Sequence, residues 1–128
     1  MLDMPTPRTL HLLDSIALIT PEMADGVVVT GSHGGSSAAS FVLALTHKPY
    51  AVFFNDAGIG KDDAGVVALA LMQEVGVIAA VYAHTSARIG DANDGWRNGI
   101  ITRCNALAQA AGIASNQTVH QMVDQMVG

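Results

Sequence analysis

The amino-acid sequence predicts a small three-layer α/β/α domain with a mostly parallel sheet of about four strands. Three apolar segments are continuous rather than alternating in hydropathy, at residues 27–29, 51–54 and 77–82. Continuous apolar runs are typical of strands buried on both faces, as in parallel sheets covered by helices. The segments between them are long enough to form crossover helices. The 128 residues suit one domain, and we expect it to span residues 1–128.

The predicted elements follow one another in the order β-β-α-β-α-β-α-α. Residues 15–19 are a weaker candidate for the first strand, ahead of the three strong ones. Residues 37–46 place apolar side chains at helical spacing, and Ser36 or Ser37 is available as the N-cap. The sequence therefore predicts a strand, a polar turn and a helix in direct succession between residues 27 and 46.

Three further helices are predicted from apolar stripes with polar caps. The second helix has a stripe over residues 66–75, and an aspartate at 62–63 is expected to cap it. The third has Asp94 as its expected cap and a stripe over residues 96–111. A short amphipathic helix over residues 119–126 ends the chain, with Thr118 and Gln121 at capping-box spacing.

The composition bounds the class of protein and its partners. Half of the residues are hydrophobic and only 13% are charged, which is more apolar than a monomer of this size needs, so we expect a homo-oligomer. The net charge is -5, with six Lys and Arg in total. Since these cations are spread along the chain, the sequence indicates no nucleic-acid partner. The single Cys excludes an internal disulfide and a cysteine-rich zinc site.

The N-terminal segment and the apolar runs bear on localisation. The stretch from residue 10 to residue 20 is mostly apolar, but Asp14 interrupts it and no basic region leads into a small-residue cleavage site. No apolar run approaches the roughly 18 residues that a membrane span needs. The sequence therefore predicts a cytoplasmic protein with no membrane partner.

Each of the three strong strands is followed by a dense polar cluster. The clusters occupy residues 30–37, 55–63 and 84–91. Open parallel sheets bind their ligands at the carboxyl ends of the strands. The sequence therefore predicts a functional site at that edge of the sheet.

The first cluster joins a strand, a glycine-rich turn and the start of a helix. Backbone N–H groups and the helix dipole favour an anion at such a turn. The spacing is neither Gly-x-Gly-x-x-Gly nor a Walker A loop, so no NAD, ATP or other cofactor is predicted. His33 is the candidate general acid or base, and the alternative is a tight turn with Ser37 as a plain cap. The predicted substrate-binding residues here are Ser32, Gly34, Gly35 and Ser36.

The second cluster begins with Asn55 and Asp56, directly after a buried strand. A carboxylate in that position is costly unless it is paired, solvated or functional. Asp56 is therefore predicted to be catalytic, either orienting or deprotonating a neighbour such as His33 or binding a cation. Asn55 is predicted to bind substrate. The aspartates at residues 62–63 are interpreted mainly as helix caps.

The third cluster supplies a cation and a second histidine. The guanidinium of Arg88 is suited to a carboxylate or phosphate because it can bind two oxygens at once. The alternative is that Arg88 pairs with Asp91 and shapes the loop. His84 is a catalytic candidate and Ser86 a substrate-binding candidate. The histidines and Asp56 lack recognised metal-ligand spacing, so no metal site is predicted.

These observations predict an enzyme that acts on a small anionic metabolite by acid/base chemistry. The substrate carries a carboxylate or phosphate, and the reaction is of hydrolase, isomerase or lyase type. One alternative is a non-catalytic ligand-binding or regulatory module that uses the same anion pocket. Another is a structural subunit whose apolar surface serves assembly. Cys104 lies on an apolar stripe and is interpreted as a core residue.

Overall fold

A central sheet of five strands organises the fold, in a computed structural model that describes residues 8–57 and 66–127. The strands are β1 (Leu10–Leu13), β2 (Val27–His33), β3 (Ala51–Asn55), β4 (Ile78–Tyr82) and β5 (Ile101–Cys104). They lie side by side in the order β1-β2-β3-β4-β5. The pairs from β1 to β4 are parallel and β5 is antiparallel to β4. The predicted α/β fold with a mostly parallel sheet is confirmed.

Helices cover both faces of this sheet. They are α1 (Ser36–Leu43), α2 (Ala68–Glu74), α3 (Ala92–Asn98), α4 (Ala106–Ala110) and α5 (Val119–Val127), with 3-10 turns at Ile16–Leu18 and Pro21–Met23. The first two helices and the turn at Ile16–Leu18 pack on one face. The last three helices pack on the other face. This arrangement gives the three predicted layers.

The two faces of the sheet carry separate apolar cores. Along β2, Val28 belongs to one core and its neighbours Val27 and Val29 belong to the other. Successive strand side chains point to opposite faces, so a strand covered on both faces needs apolar residues at every position. This requirement explains the unbroken apolar runs of the sequence.

Strand β1 lies earlier in the chain than the sequence predicts. Residues 15–19 contain the 3-10 turn Ile16–Leu18, not a strand. The Ser15 hydroxyl accepts a hydrogen bond from the N–H of Ala17 and caps that turn. A serine that bonds the backbone two residues ahead favours a turn over an extended strand.

Strand β5 lies inside residues 96–111, which the sequence predicts as one helix. It is the fifth strand of a sheet that the sequence predicts to have about four. The helix α3 ends at Asn98, and Gly99 adopts an extended ψ of 135°. Pairing of β5 with β4 covers an edge that would otherwise present free backbone groups. The apolar residues of the stretch are spaced as in a helix. The stabilisation that β5 gains by pairing with β4 leaves no signal in the hydropathy pattern.

The caps that start the helices differ partly from those predicted. Gly35, not Ser36 or Ser37, is the N-cap of α1. The Asp91 side chain caps α3 by accepting the N–H of Asp94, so the predicted cap lies three residues too late. The hydroxyl of Thr118 accepts the N–H of Gln121 at the start of α5 (3.1 Å). The caps expected at residues 62–63 lie outside the described residues.

Candidate active site

A cleft of about 430 Å³ opens at the C-terminal edge of the sheet, beside the start of α1. Its lining includes Asp14 after β1, Ser32 and His33 at the end of β2, and Ser37 in the first turn of α1. Residues 89–90 of the loop between β4 and α3 also line it. A concave volume of this size suits a small-molecule ligand.

A close backbone contact at Gly31 forms one wall of the cleft. The N–H of Gly90 donates to the carbonyl of Gly31 (2.8 Å), and the N–H of Ala92 donates to Oδ1 of Asp14 (2.9 Å). A Cβ atom at residue 31 would lie 2.5 Å from the backbone nitrogen of Asp91. Glycine at this position therefore lets the loop from β4 reach across to β1 and β2.

The ring of His33 is held in one orientation by the turn itself. Its Nδ1 atom accepts a hydrogen bond from the N–H of Gly35 (3.0 Å). A ring nitrogen that accepts carries no proton, so the neutral imidazole has its proton on Nε2. His33 is exposed and lines the cleft. Its Nε2–H group is thereby a hydrogen-bond donor for a ligand.

The two glycines of the turn use their N–H groups within the protein. The N–H of Gly34 donates to the carbonyl of Asn55 (3.0 Å), and that of Gly35 donates to His33. Both glycines are buried. Their contribution to an anion site is therefore to shape the turn, and the donors that remain belong to the first turn of α1.

The predicted serines of the first cluster have different surroundings. The hydroxyl of Ser32 accepts the N–H of Ile16 (2.9 Å), which ties the end of β2 to the 3-10 turn after β1. Ser36 is exposed at the first position of α1. Ser37, which the sequence offers as a possible N-cap, lines the cleft.

Asp56 is a buried carboxylate that holds His84. Its side chain is 6% exposed, whereas that of His84 is 53% exposed. Oδ1 accepts the backbone N–H of His84 (3.0 Å) and lies 3.3 Å from its Nδ1. Oδ2 accepts the hydroxyl of Thr102 (3.1 Å). A carboxylate beside Nδ1 favours the tautomer with the proton on Nδ1, which leaves Nε2 of His84 as a proton acceptor.

Asn55 and Tyr82 connect the strand ends beneath the site. Nδ2 of Asn55 donates to the carbonyl of Ala87 (3.1 Å), and its Oδ1 accepts the N–H of Ala57 (2.7 Å). The hydroxyl of Tyr82 donates to the carbonyl of Thr30 (2.7 Å). Burial raises the pKa of that hydroxyl above its usual value. Asn55 is fully buried, so in this structure it braces the loop after β4.

Arg88 and Ser86 belong to the loop between β4 and α3. The backbone N–H of Arg88 donates to Oδ2 of Asp94 (2.7 Å). That hydrogen bond and one from Asn98 hold the pKa of Asp94 below its usual range, and the charge of Arg88 adds to the effect. The hydroxyl of Ser86 donates to the carbonyl of Ala83 and accepts the N–H of Ile100. These contacts stabilise the loop, and Arg88 itself is exposed.

Four of the predicted site residues form two groups along one edge of the sheet. Ser32 and His33 line the cleft, and Asp56 contacts His84. The sequence predicts that Asp56 orients or deprotonates a neighbour such as His33. In the structure the N–H of Gly35 orients His33, and Asp56 orients His84.

Sequence reasoning missed two residues of this edge, Asp14 and Thr102. Asp14 interrupts the apolar stretch near the N-terminus, and this interruption was the available signal. It follows β1 directly, so recognition of that strand marks Asp14 as a further strand-end carboxylate. Thr102 lies on β5, inside the segment that the sequence predicts as a helix.

Cys104 is poorly suited to act as a nucleophile. Burial raises the pKa of the Cys104 thiol, which disfavours the reactive thiolate. Within residues 8–57 and 66–127, no three His, Cys, Asp or Glu side chains are grouped to hold a metal ion. No helix in the same ranges has the length and apolar character needed to cross a membrane.

Comparisons of this chain with protein-family models, with curated proteins and with solved structures found no match.

Proposed function

We propose that the protein is an enzyme that performs acid/base chemistry on a small metabolite carrying a carboxylate or phosphate. The observation that carries the proposal is His33 in the cleft, with Nδ1 bonded to Gly35 and Nε2–H available to a ligand. The reaction is of hydrolase, isomerase or lyase type. In each of these, a proton or hydrogen bond delivered to a substrate oxygen lowers the barrier.

The first turn of α1 supports the anionic character of the substrate. The first intrahelical bond of α1 runs from the N–H of Ala39 to the carbonyl of Gly35. The N–H groups of Ser36, Ser37 and Ala38 precede that bond and have no acceptor among the described residues. Free N–H groups at a helix start favour a negative charge. Since Ser37 and Ala38 line the cleft beside His33, the anion and the proton donor meet there.

The Asp56–His84 pair offers a second proton-transfer group at the same edge. In the sheet, His33 of β2 lies beside Asn55 of β3, and Asn55 lies beside Tyr82 of β4. His84 follows β4 in the chain, so two strand spacings separate its strand from β2. Two spacings amount to about 10 Å. We therefore assign the cleft chemistry to His33 and test His84 as its competitor.

The decisive variant is His33→Asn. Asparagine has a side-chain oxygen that accepts the N–H two residues ahead, so it preserves the bond to Gly35. It removes only the Nε2–H donor. Carboxylates, amino acids among them, and phosphate monoesters are first screened by thermal shift, and every stabilising compound is then followed for turnover by proton NMR.

We expect His33→Asn to lower turnover about a hundredfold or more while the protein stays folded. The matched control is His47→Asn, which alters an exposed histidine of a turn. Loss of turnover in His84→Asn but not in His33→Asn would move the chemistry to the Asp56–His84 pair. Stabilisation without turnover of any stabilising compound would favour the non-catalytic binding module, and no stabilisation would refute the anion site.

A further inference from the structure

We infer that the substrate of the cleft is an apolar α-amino acid, with its ammonium group on Asp14 and its carboxylate at the start of α1. This inference rests on the proposed function and names its substrate class. Its basis is that the cleft carries groups of opposite preference: a carboxylate after β1, and N–H donors from His33 and α1.

Asp14 has one oxygen engaged and one available. Oδ1 accepts the N–H of Ala92 (2.9 Å), which fixes the side chain against the start of α3. Oδ2 has no hydrogen-bond partner among residues 8–57 and 66–127. Asp14 is exposed and lines the cleft. A carboxylate fixed by one oxygen can accept a charge-assisted hydrogen bond on the other, and an ammonium group is its best donor.

This carboxylate conflicts with a ligand that is only anionic. Asp14 would repel a bare carboxylate or phosphate placed in the same cleft. A zwitterion removes the conflict because it offers a positive group to Asp14 and a negative group to the N–H donors of α1. The cleft therefore selects a ligand that carries both charges.

Two apolar side chains beside these polar groups account for the apolar part of the ligand. Phe41 is 42% exposed and Ile89 is 52% exposed, and both line the cleft. Phe41 projects from α1 and Ile89 from the loop before α3, so apolar contact is offered from two elements. Large apolar side chains exposed in a concave site favour an apolar ligand group.

The test compares leucine, 4-methylpentanoate and 2-hydroxy-4-methylpentanoate as probes, with affinities measured by isothermal titration calorimetry at pH 7. The two acids keep the carboxylate and the branched chain of leucine and replace the ammonium group by hydrogen or by hydroxyl. We expect the wild-type protein to bind leucine about tenfold or more tightly than either acid, as a charge-assisted bond predicts. Glycine should bind more weakly than leucine because it lacks the apolar chain.

Asp14→Asn is the matched substitution. Asparagine keeps an oxygen for the N–H of Ala92 and removes the charge. We expect this variant to lose the preference for leucine over 4-methylpentanoate. Glu74→Gln removes the same charge from the exposed end of α2 and should retain the preference. If Asp14→Asn does not fold, the three probes on the wild-type protein still decide the question.

The outcomes separate the two proposals. If 4-methylpentanoate binds and leucine binds no more tightly, the amino-acid inference is wrong and the anion site stands. If the hydroxy acid binds as tightly as leucine, Asp14 does not recognise an ammonium group and the inference is again wrong. If no probe binds while the wider anion screen yields a ligand, the amino-acid inference is wrong and the anion site stands. If that screen also fails, the proposed function itself is refuted.

Discussion

Tyr82→Phe tests the buried contact that ties β4 to β2 beneath the candidate site. The Tyr82 hydroxyl donates to the carbonyl of Thr30 (2.7 Å), and both residues are fully buried. The substitution keeps the ring and its packing and removes only the hydroxyl. The carbonyl of Thr30 then loses a donor where no water replaces it, at an expected cost of about 1–2 kcal/mol.

That cost converts into a measurable change in Tm. Globular proteins unfold with an entropy of about 2.1 cal/mol/K per residue. For 128 residues this gives about 0.27 kcal/mol/K, so Tm should fall by about 4–7 °C. Thermal unfolding at pH 7, followed by circular dichroism, measures this fall. Tyr50→Phe is the control, since Tyr50 is half-buried and contacts Arg8 through its ring, and its Tm should change by less than about 2 °C.

The pH dependence gives an independent check of the same contact. Burial raises the pKa of Tyr82 in the folded state above the value of about 10 in the unfolded chain. The contribution of the hydroxyl to stability is therefore fully present below pH 10 and is lost as the pH rises from about 10 toward the folded-state pKa.

Urea unfolding between pH 9 and pH 11 should accordingly show the wild-type protein losing more stability than Tyr82→Phe. The difference in unfolding free energy between the two proteins should narrow across that range. A Tm change below about 2 °C at pH 7, or a difference that stays constant or widens with pH, would refute the reasoning.

Two further substitutions test one backbone contact at the site and one side-chain network at the opposite edge of the sheet. Gly31→Ala should destabilise the protein by about 1–3 kcal/mol and weaken ligand binding in the cleft, because the new Cβ would lie 2.5 Å from the Asp91 backbone nitrogen. Urea unfolding measures the stability and calorimetry measures the binding. Unchanged stability would contradict the observed loop contact. Asn105→Ala should lower the free energy of unfolding by about 3 kcal/mol or more, because the buried Asn105 amide bonds four backbone groups of the α2, β4 and α4 region. Asn98→Ala, at an exposed residue, is its control. Equal urea unfolding midpoints for the two variants would refute the role of that network.

The polar strand ends show how far the candidate site is predictable. The continuous apolar runs marked β2, β3 and β4, and the C-terminal edge followed from the parallel arrangement. Proximity along that edge was not predictable. Asp56 lies next to Asn55 in the chain, yet its oxygens reach His84 and Thr102 on other strand ends, because side-chain direction depends on strand register and loop path.

The sequence predictions that are wrong concern the two edge strands of the sheet. Strand β1 is short and precedes a serine-capped turn, and β5 falls within apparent helical spacing. An edge strand pairs with a single neighbour, so its hydropathy pattern is weak and a helical stripe can fit it equally well. Missing these strands also hid Asp14 and Thr102.

By itself, the sequence determined the fold class, because burial of both sheet faces imposes unbroken apolar strands and amphipathic helices. It also determined that the polar clusters follow the strands, because the strands themselves are buried on both faces and must be apolar. Only the tertiary structure decided which of these groups meet. The carboxylate of Asp56 orients His84, and the loop contact at Gly31 brings Asp14 and Ile89 to the same cleft. Such contacts join residues far apart in the chain, and they depend on register and backbone approach, which local hydropathy does not encode.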